Sequence, residues 1–461
     1  MNHPHFNIDF DRQLIASLPA FGPRYTSYPT ADRFYSEFGP ANFQAAIQHH
    51  GGQTPLSLYV HVPFCNTICY YCGCNKVITK DHSRADRYLD YLDKELDLVA
   101  ANWTGKPLLA QLHFGGGTPT FLSDAQLTRV FDSIRAHFTL SEDGEYSIEI
   151  DPRKVSRERI LTLGKLGLNR MSVGIQDFDA KVQKAVNRVQ SEAETSIVID
   201  AAREAGFKSV SVDLIYGLPH QTMASMHTTL NKVLALHPDR LAVYHYAHLP
   251  HLFKPQRRID TEAVPDSVTK LDILQDTVQH LLDQGYVFIG MDHFAKPQDE
   301  LAQALQQGRL QRNFQGYSTH ADCDLVAIGV SSISKIGRVY SQNEKNLDAY
   351  YEALDNNHLP VMRGYELNED DLLRRDIIQD LMCRFAVNLD DYQHRINIAT
   401  ADYFAAELAD LQQMASRGLL TLQGHKLVVS PKGRFLIRNI AMAFDAHLRH
   451  QHTQAKYSQT V

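Results

Sequence analysis

Short apolar runs alternate with amphipathic stretches from about residue 56 onwards. The runs are rich in Val, Ile, Leu, Tyr and Phe, which is typical of buried β-strands. The predicted strands are LSLYVHV (56–62), LAQLHF (109–114), YSIEI (146–150), RMSVGI (170–175), SVSVDLIYG (209–217) and RLAVYHY (240–246). Helical patterns such as SEAETSIVIDAAREAG lie between them, and several begin at a Ser that can act as an N-cap.

Strands that are each followed by a helix predict parallel pairing with right-handed crossovers. The expected fold class is therefore α/β: a partial (β/α)6 barrel with an N-terminal extension and a mostly helical C-terminal domain. Catalytic groups of such barrels lie at the carboxyl ends of the strands. Functional residues are therefore expected in the loops that follow the strands.

The pattern divides the chain into three segments. Residues 1–55 are an N-terminal extension, expected to lie over the active site, and they include the aromatic and turn-rich GPRYTSYPT. Residues 56–345 are predicted to form the catalytic barrel and a substrate-channel segment. Residues 346–461 are predicted to form a mostly helical, winged-helix-like domain, in which LLTLQGHKLVVS indicates a hairpin turning at Gly424 and His425.

Charge and hydropathy argue against several functions. The formal net charge is −7, from 46 basic and 53 acidic residues, so the balance does not favour binding to nucleic acid or to an anionic membrane. No run of about 18 uncharged apolar residues occurs, and the N-terminus has no basic region followed by an apolar one. We therefore expect a cytoplasmic protein that does not insert into membranes.

Four of the six cysteines lie in one short stretch, YVHVPFCNTICYYCGCNK (59–76), just after the first strand. Disulfides between such close cysteines would be small and strained, so the spacing favours reduced, metal-binding thiols. Cys65, Cys69 and Cys72 have a CxxxCxxC spacing, and Cys74 follows. Three thiolates on one loop can occupy three corners of an iron–sulfur cube and leave the fourth iron open to a small molecule.

Two other metal sites remain as alternatives. A structural zinc site usually takes two pairs of ligands from separated turns, whereas these cysteines lie on one loop with no second pair downstream. A ferredoxin-like electron carrier needs a fourth cysteine that closes the cube, and Cys74 is badly placed for that role because one residue separates it from Cys72. The spacing therefore favours the open cube.

The cysteine loop resembles that of the radical S-adenosylmethionine superfamily. Over essentially its whole length the chain resembles the oxygen-independent coproporphyrinogen III oxidases of that superfamily. Cys74 and the N-terminal GPRYTSYPT distinguish this pattern from that of the related haem chaperones. The motifs that support the resemblance include GPRYTSYPTA, YVHVPFCNTICYYCGCNK, LHFGGGTPT, IEIDPR, VGIQDF, DLIYGLPHQT, YAHLP and RNFQGYST.

The resemblance implies a 4Fe–4S cluster bound by Cys65, Cys69 and Cys72, and two molecules of S-adenosylmethionine. The first molecule would contact Tyr59, Tyr71, Gly116, Glu149 and Ile333. The second would contact Gly117, Thr118, Gln176, Arg188, Asp213 and Ala247. The candidate catalytic residues are Tyr59, His61 and Cys74. His61 is included because it lies on the same face of the first strand as Tyr59.

The activity implied by the resemblance is the oxidative decarboxylation of two propionates of coproporphyrinogen III to vinyl groups, started by a 5′-deoxyadenosyl radical, to give protoporphyrinogen IX for haem biosynthesis. Reduced flavodoxin or ferredoxin would donate electrons to a monomeric enzyme. A haem chaperone or a haem-ring-opening enzyme of the superfamily remains an alternative. The candidate partners of the substrate carboxylates are Arg24, Lys254, Arg257, Arg258 and Arg312.

Overall fold

The fold is described from a computed structural model, which covers residues 8–18, 22–50, 54–320 and 323–449. The chain forms two compact units. The larger contains Phe34–Asp266 and Asp322–Glu366, and the smaller contains Met1–Arg33, Ser267–Ala321 and Leu367–Val461.

Six parallel strands form the barrel wall of the larger unit. They lie side by side in chain order. Each predicted strand is confirmed, and the bounds are β1 Leu56–Val62, β2 Leu108–Gly116, β3 Thr139–Ile150, β4 Arg170–Gln176, β5 Ser209–Tyr216 and β6 Arg240–His245.

Five of the six helices between these strands begin at a side-chain cap, and the exception is the first, Ser83–Ala100. The side chains of Ser123, Ser156 and Ser191 each accept a hydrogen bond from a backbone N–H in the first turn of the following helix, as the sequence predicts. Met223–Leu234 is capped by Thr222 instead. The bounds are α1 Ser83–Ala100, α2 Asp124–His137, α3 Arg157–Leu166, α4 Ala180–Ala185, α5 Glu192–Glu204 and α6 Met223–Leu234.

The hydrophobic core of the barrel lies between the strands and these helices. Leu112 and Phe114 of β2 are completely buried, and the Phe114 ring stacks on Phe131 of α2 at a centroid distance of 5.4 Å. Alternate residues of β4 and β5 are only partly buried, as is His113 of β2. The strands therefore pack their outward faces and leave their inward faces accessible.

Four further strands extend the sheet from the other edge of β1, and the sequence pattern did not predict them. The strand β7 Asp324–Ile328 pairs in parallel with β1. The next three run antiparallel and are β8 Ile333–Ile336, β9 Val339–Asn343 and β10 Val361–Glu366. Two more helices of this unit are Pro40–His50 and Leu347–Asp355.

The smaller unit is mostly helical, as predicted. The predicted hairpin is confirmed as Leu420–Gln423 and Lys426–Val429, and Ala386–Asn388 adds a third strand beside Lys426–Val429. Two further antiparallel pairs are Val287–Gly290 with His293–Ala295, and Gln311–Asn313 with Gly316–Ser318. The helices are Arg12–Ala16, Ser267–Asp283, Glu300–Gln306, Glu369–Arg384, Thr400–Tyr403, Ala405–Ser416, Ile437–Ala441 and Ala446–Arg449.

The division into residues 1–55, 56–345 and 346–461 stays a prediction, and all three segments include residues outside the described ranges. None of the helices in the described part of the chain has the length and apolar character needed to cross a lipid bilayer.

Candidate active site

The cysteine loop connects β1 to α1 at the carboxyl end of the barrel. Its base is closed by a short parallel pair, Phe64–Cys65 with Val77–Ile78. Its middle is held from another part of the barrel, because Asn187 Nδ2 donates to the carbonyl of Ile68 at 2.6 Å and Tyr70 N–H donates to the carbonyl of Val186 at 2.9 Å. The loop is therefore fixed at both its base and its middle.

Each of the three sulfurs predicted to bind metal has its own hydrogen-bond donor. The Thr118 hydroxyl donates to Cys65 Sγ at 3.4 Å. The guanidinium groups of Arg153 and Arg188 lie 3.7 and 3.6 Å from Cys69 Sγ. The side chain of Cys74 is hydrogen-bonded to that of Cys72. These donors would stabilise sulfur-borne negative charge, so the residues fit an iron–sulfur cluster.

The thiols differ in acidity. Burial raises the pKa of Cys65 to about 11, whereas the hydrogen bond from Cys74, helped by the Lys76 ammonium, lowers the pKa of Cys72 to about 6. Among the described residues no group of three Cys, His, Asp or Glu side chains is arranged to hold a single metal ion. A cube binds each thiolate through a different iron, so its ligands need not meet at one point.

The glycine run at the end of β2 lies beside the cysteine loop. Gly116 has φ +113°, and its N–H donates to Glu149 Oε2 at 3.2 Å. A Cβ on Gly117 would lie 2.7 Å from the carbonyl oxygen of Pro63, so only glycine fits there without a backbone shift. The run thus brings backbone N–H groups between the cysteine loop and Glu149.

Tyr59 and His61 lie on β1 beside this run. The Tyr59 hydroxyl lies 3.0 Å from His61 Nδ1, and His61 Nε2 lies 3.1 Å from the carbonyl of Asn75. Because a carbonyl only accepts, Nε2 carries the proton and Nδ1 accepts from Tyr59. Burial lowers the pKa of His61, which keeps the imidazole neutral. His61 therefore connects Tyr59 to the far end of the cysteine loop.

A row of polar side chains continues along the inner face of the strands. The register pairs Tyr59 with His113 and His113 with Ser147. His113 stacks on the Tyr59 ring, its Nδ1 lies 2.6 Å from Ser147 Oγ, and its Nε2 lies 3.4 Å from Glu149 Oε1. Glu149 keeps 46% of its side chain exposed, so it can still bind a ligand from inside the barrel.

Asp213 extends this row onto β5. Its carboxylate accepts a hydrogen bond from the Ser172 hydroxyl at 2.9 Å. Burial raises the pKa of Asp213 to about 7, with a further contribution from the negative charge of Glu149. The inner face therefore holds a second carboxyl group near the first.

Gln176 and Arg188 lie at the end of β4. Gln176 has φ +69°, which is uncommon for a residue with a side chain, and its buried Oε1 has no hydrogen-bond partner among the described residues. Arg188 donates to the carbonyl of Gly174 at 2.6 Å and to Asp151 Oδ2 at 3.1 Å. A backbone conformation that is rare for residues with a side chain and an unpaired buried amide oxygen are both features that occur often at functional sites.

Ala247 and Tyr71 are joined by Gln256. The buried Gln256 amide donates to the carbonyls of Tyr71 and Ala247 at 3.0 and 3.1 Å. A Cβ on Gly73 would lie 3.0 Å from the Phe253 ring, so a larger residue between Cys72 and Cys74 would require that ring to shift slightly. Ile333 lies at the start of β8, on the added part of the sheet.

The sequence did not assign four residues that the structure brings to this site: His113, Ser172, Arg153 and Gln256. The alternation of apolar and polar residues on β2 and β4 could have identified His113 and Ser172. Arg153 belongs to the IEIDPR motif. Nothing in the local pattern marks Gln256, because its partner Tyr71 is 185 residues away.

The candidate carboxylate partners have different surroundings. In the larger unit Lys254 is exposed, Arg257 donates to the carbonyl of Pro250, and Arg258 lies over the Tyr70 ring. In the smaller unit Arg24 pairs with Asp292, and the Arg312 guanidinium lies 4.8 Å from the Tyr317 ring centroid.

The chain is similar to known protein families and to proteins of known name. A profile of the Radical SAM superfamily matches residues 59–233, and a profile of the HemN C-terminal domain matches residues 367–436. The chain is 48% identical over 444 residues to the oxygen-independent coproporphyrinogen III oxidase of Pseudomonas aeruginosa, covering 96% of both proteins. It is 46% identical over 454 residues to the Escherichia coli protein of the same name, covering 98% of this chain and 99% of that one.

A solved structure, described as coproporphyrinogen III oxidase (HemN) from Escherichia coli, a Radical SAM enzyme, has the same fold. It superposes with a TM-score of 0.91 at 46% sequence identity. The match covers 96% of this chain and 100% of that chain.

Proposed function

This chain belongs to the oxygen-independent coproporphyrinogen III oxidase family of the radical S-adenosylmethionine superfamily, and on that premise we propose that it converts two propionates of coproporphyrinogen III to vinyl groups, giving protoporphyrinogen IX in haem biosynthesis. Membership of the superfamily implies a 4Fe–4S cluster and S-adenosylmethionine. The observation that carries the proposal is the convergence of the cysteine loop, the glycine run and Glu149 at the carboxyl ends of β1 to β3.

When bound, the cluster and S-adenosylmethionine supply one-electron cleavage of the sulfonium group and removal of a hydrogen atom from the substrate. Each round takes one hydrogen atom, one electron and one carbon dioxide from a propionate side chain and leaves a vinyl group. This change needs no protein base. The chain's own task is therefore to position the propionate C–H bond and to exclude water.

Cys65, Cys69 and Cys72 would bind the cluster. The Thr118 hydroxyl and the arginines at Cys69 would stabilise its charge, which favours the reduced state. Cys74 would act through its hydrogen bond to Cys72 rather than as a fourth ligand.

The S-adenosylmethionine at the cluster would lie against Tyr59, Tyr71, Gly116 and Glu149, with Ile333 closing one side. Glu149 suits the methionyl ammonium group, because it is half-exposed and already accepts from Gly116 N–H. His61 would position Tyr59 through the 3.0 Å hydrogen bond between them.

A second S-adenosylmethionine would use Gly117, Thr118, Gln176, Arg188, Asp213 and Ala247. The amide oxygen of Gln176 and the carboxyl of Asp213 support this assignment, because the first is buried with no partner among the described residues and the second can bind an ammonium or hydroxyl group. Equilibrium dialysis of the anaerobic protein should give two sites per chain, and the Asp213→Ala variant should give one. A single site in the wild-type protein would contradict the assignment.

Reduced flavodoxin or ferredoxin would deliver the electrons, and the protein would act as a monomer. Light scattering after size-exclusion chromatography should give a mass near 52.2 kDa.

The decisive assay offers coproporphyrinogen III and haem separately to the anaerobic, reduced protein. We expect protoporphyrinogen IX from the first and no reaction with the second, with two S-adenosylmethionines consumed per product. Tight haem binding without decarboxylation would indicate a chaperone, and loss of haem would indicate a ring-opening enzyme.

A further inference from the structure

The exposed edge of the cysteine loop adjoins two segments of the barrel. Asn66 and Thr67, between the first two cysteines, are exposed. One neighbouring segment is residues 153–154, where the Arg153 guanidinium lies 3.7 Å from Cys69 Sγ. The other is residues 180–189, whose backbone and side chains hold the loop at Ile68 and Tyr70. Both segments therefore lie close to Cys69 and to the residues on either side of it.

Three exposed lysines lie on these two segments. Lys154 is adjacent to Arg153, and Lys181 and Lys184 belong to α4, directly before the residues that hold the cysteine loop. None of the three forms an ion pair within the described ranges of the chain. Val189, which follows on the same segment, is 62% exposed. We call Lys154, Lys181, Lys184 and Val189 the lysine surface.

The acidic residues around the lysine surface already have partners. Asp151 pairs with both Arg153 and Arg188, at 2.6 and 3.1 Å. Asp179 accepts the N–H groups of Lys181 and Val182 as the cap of α4. Glu194 accepts from the N–H of Ser191 in a capping box. The backbone N–H groups leave Asp179 and Glu194 charged, but the cationic side chains on these segments outnumber the three carboxylates. These cations are Arg153, Lys154, Lys181, Lys184 and Arg188, so the surface is locally positive on a chain whose formal net charge is −7.

We propose that the lysine surface is the docking site of the electron donor, a small acidic protein with a reduced flavin or iron–sulfur centre. This inference rests on the proposed function, which needs electrons from outside the chain. One electron would leave the donor centre, which is oxidised, and reduce the cluster held by Cys65, Cys69 and Cys72, with no bond made or broken. Exposed lysines and an exposed valine on segments that hold the cysteine loop suit an acidic partner, because charge steers the encounter and apolar contact stabilises it.

The test reverses the three charges in the variant Lys154→Glu, Lys181→Glu, Lys184→Glu. A control variant with the same change in net charge is Lys106→Glu, Lys165→Glu, Lys208→Glu. These control lysines are exposed and precede β2, β4 and β5, so they lie at the opposite ends of the strands from the cysteine loop. Both variants are assayed with three electron donors in separate experiments: reduced flavodoxin, reduced ferredoxin and dithionite.

We expect the first variant to reduce the association rate with the protein donor by about tenfold to a hundredfold at low ionic strength. Its dithionite-driven activity should stay within about twofold of wild type, and the salt dependence of association should become weaker. The control variant should keep wild-type association. The affinity for flavodoxin, measured by calorimetry, gives a readout that does not depend on turnover.

Equal loss in both triple variants, or no loss in the first, would overturn the proposal. If the first variant fails to assemble its cluster, the single variant Lys184→Glu is tested instead by calorimetry. An unchanged affinity of that variant for flavodoxin would reject the docking site. If the wild-type protein did not convert coproporphyrinogen III with dithionite, the proposed function would be rejected. The calorimetric affinity for flavodoxin would still test the docking site, because it does not depend on turnover.

Discussion

The two faces of the barrel strands differ sharply. On the outer face, residues such as Leu112, Ile148 and Val212 are completely buried against the helices. On the inner face, neighbouring positions hold His113 and Glu149, whose side chains are 18% and 46% exposed. One strand thus supplies both a hydrophobic core and a polar site, because alternate side chains point to opposite faces. Changes on the inner face and at the mouth should reduce activity, whereas changes on the outer face should reduce stability.

The largest effect is expected at the mouth of the barrel, from Cys65→Ser, Cys69→Ser and Cys72→Ser. Each change should abolish the cluster and all detectable activity, because a serine hydroxyl is a poor replacement for a thiolate ligand. Iron and sulfide analysis with electron paramagnetic resonance measures this. The matched control is Cys383→Ala, at a buried cysteine of the smaller unit, which should keep its cluster. A full cluster in any of the three serine variants would remove that residue from the ligand set.

Gly117→Ala should have the next largest effect. The added Cβ would lie 2.7 Å from the carbonyl oxygen of Pro63, so the glycine run or the cysteine loop must move. We expect S-adenosylmethionine to bind about tenfold more weakly, corresponding to about 1.4 kcal/mol. Gly39→Ala is the control, because its Cβ would meet nothing within 4 Å. Unchanged binding in Gly117→Ala would show that the run does not contact the ligand.

Adjacent residues of β2 test the two faces directly. Leu112→Ala removes a fully buried side chain and should reduce the free energy of unfolding by about 2–5 kcal/mol while leaving the KM for S-adenosylmethionine unchanged. His113→Ala removes the contacts with Ser147 and Glu149 and should cost only about 1 kcal/mol of stability. It should nevertheless lower kcat/KM by about tenfold or more. Urea unfolding measures the stability of each variant, and steady-state kinetics measures its activity. A loss of activity without a loss of stability in Leu112→Ala, or the reverse in His113→Ala, would refute the distinction between the faces.

The sequence predicts the barrel better than its surroundings. The six parallel strands are long, apolar and separated by capped helices, so their pattern is local and easily read. The strands Ile333–Ile336 and Val339–Asn343 were missed because they are short and polar, as in KIGRVYSQN, and are stabilised mainly by pairing along the sheet.

The candidate site, too, is predicted from the sequence only where its residues lie close together in the chain. The spacing of Cys65, Cys69 and Cys72 is local and predicts a shared cofactor. In contrast, the donors at their sulfurs come from Thr118, Arg153 and Arg188, which only the folded chain brings to the loop. Gln256 contacts Tyr71 across 185 residues, and no local pattern can predict such a contact.

The smallest expected effect concerns a carboxyl group outside the site. Glu95 of α1 is buried, and its carboxylate accepts hydrogen bonds from Gly329 N–H, Asn343 Nδ2 and the Tyr350 hydroxyl at 2.7, 2.6 and 2.5 Å. Burial outweighs these donors and raises the pKa of Glu95 from 4.5 to about 7. The folded state therefore keeps a proton that the unfolded state loses above about pH 4.5.

It follows that this group makes the protein less stable as pH rises from about 4.5 to about 7, and that its effect is constant above that range. One retained proton gives a slope of at most about 1.4 kcal/mol per pH unit. Urea unfolding at several pH values, in the Cys69→Ser background so that cluster loss does not contribute, should show a shallower slope after Glu95→Gln than before it. Unlike Glu149→Gln on the inner face, this variant should leave the affinity of the cluster-containing protein for S-adenosylmethionine unchanged. An unaltered pH slope would mean that Glu95 is ionised in the folded protein, with the three hydrogen bonds compensating for its burial.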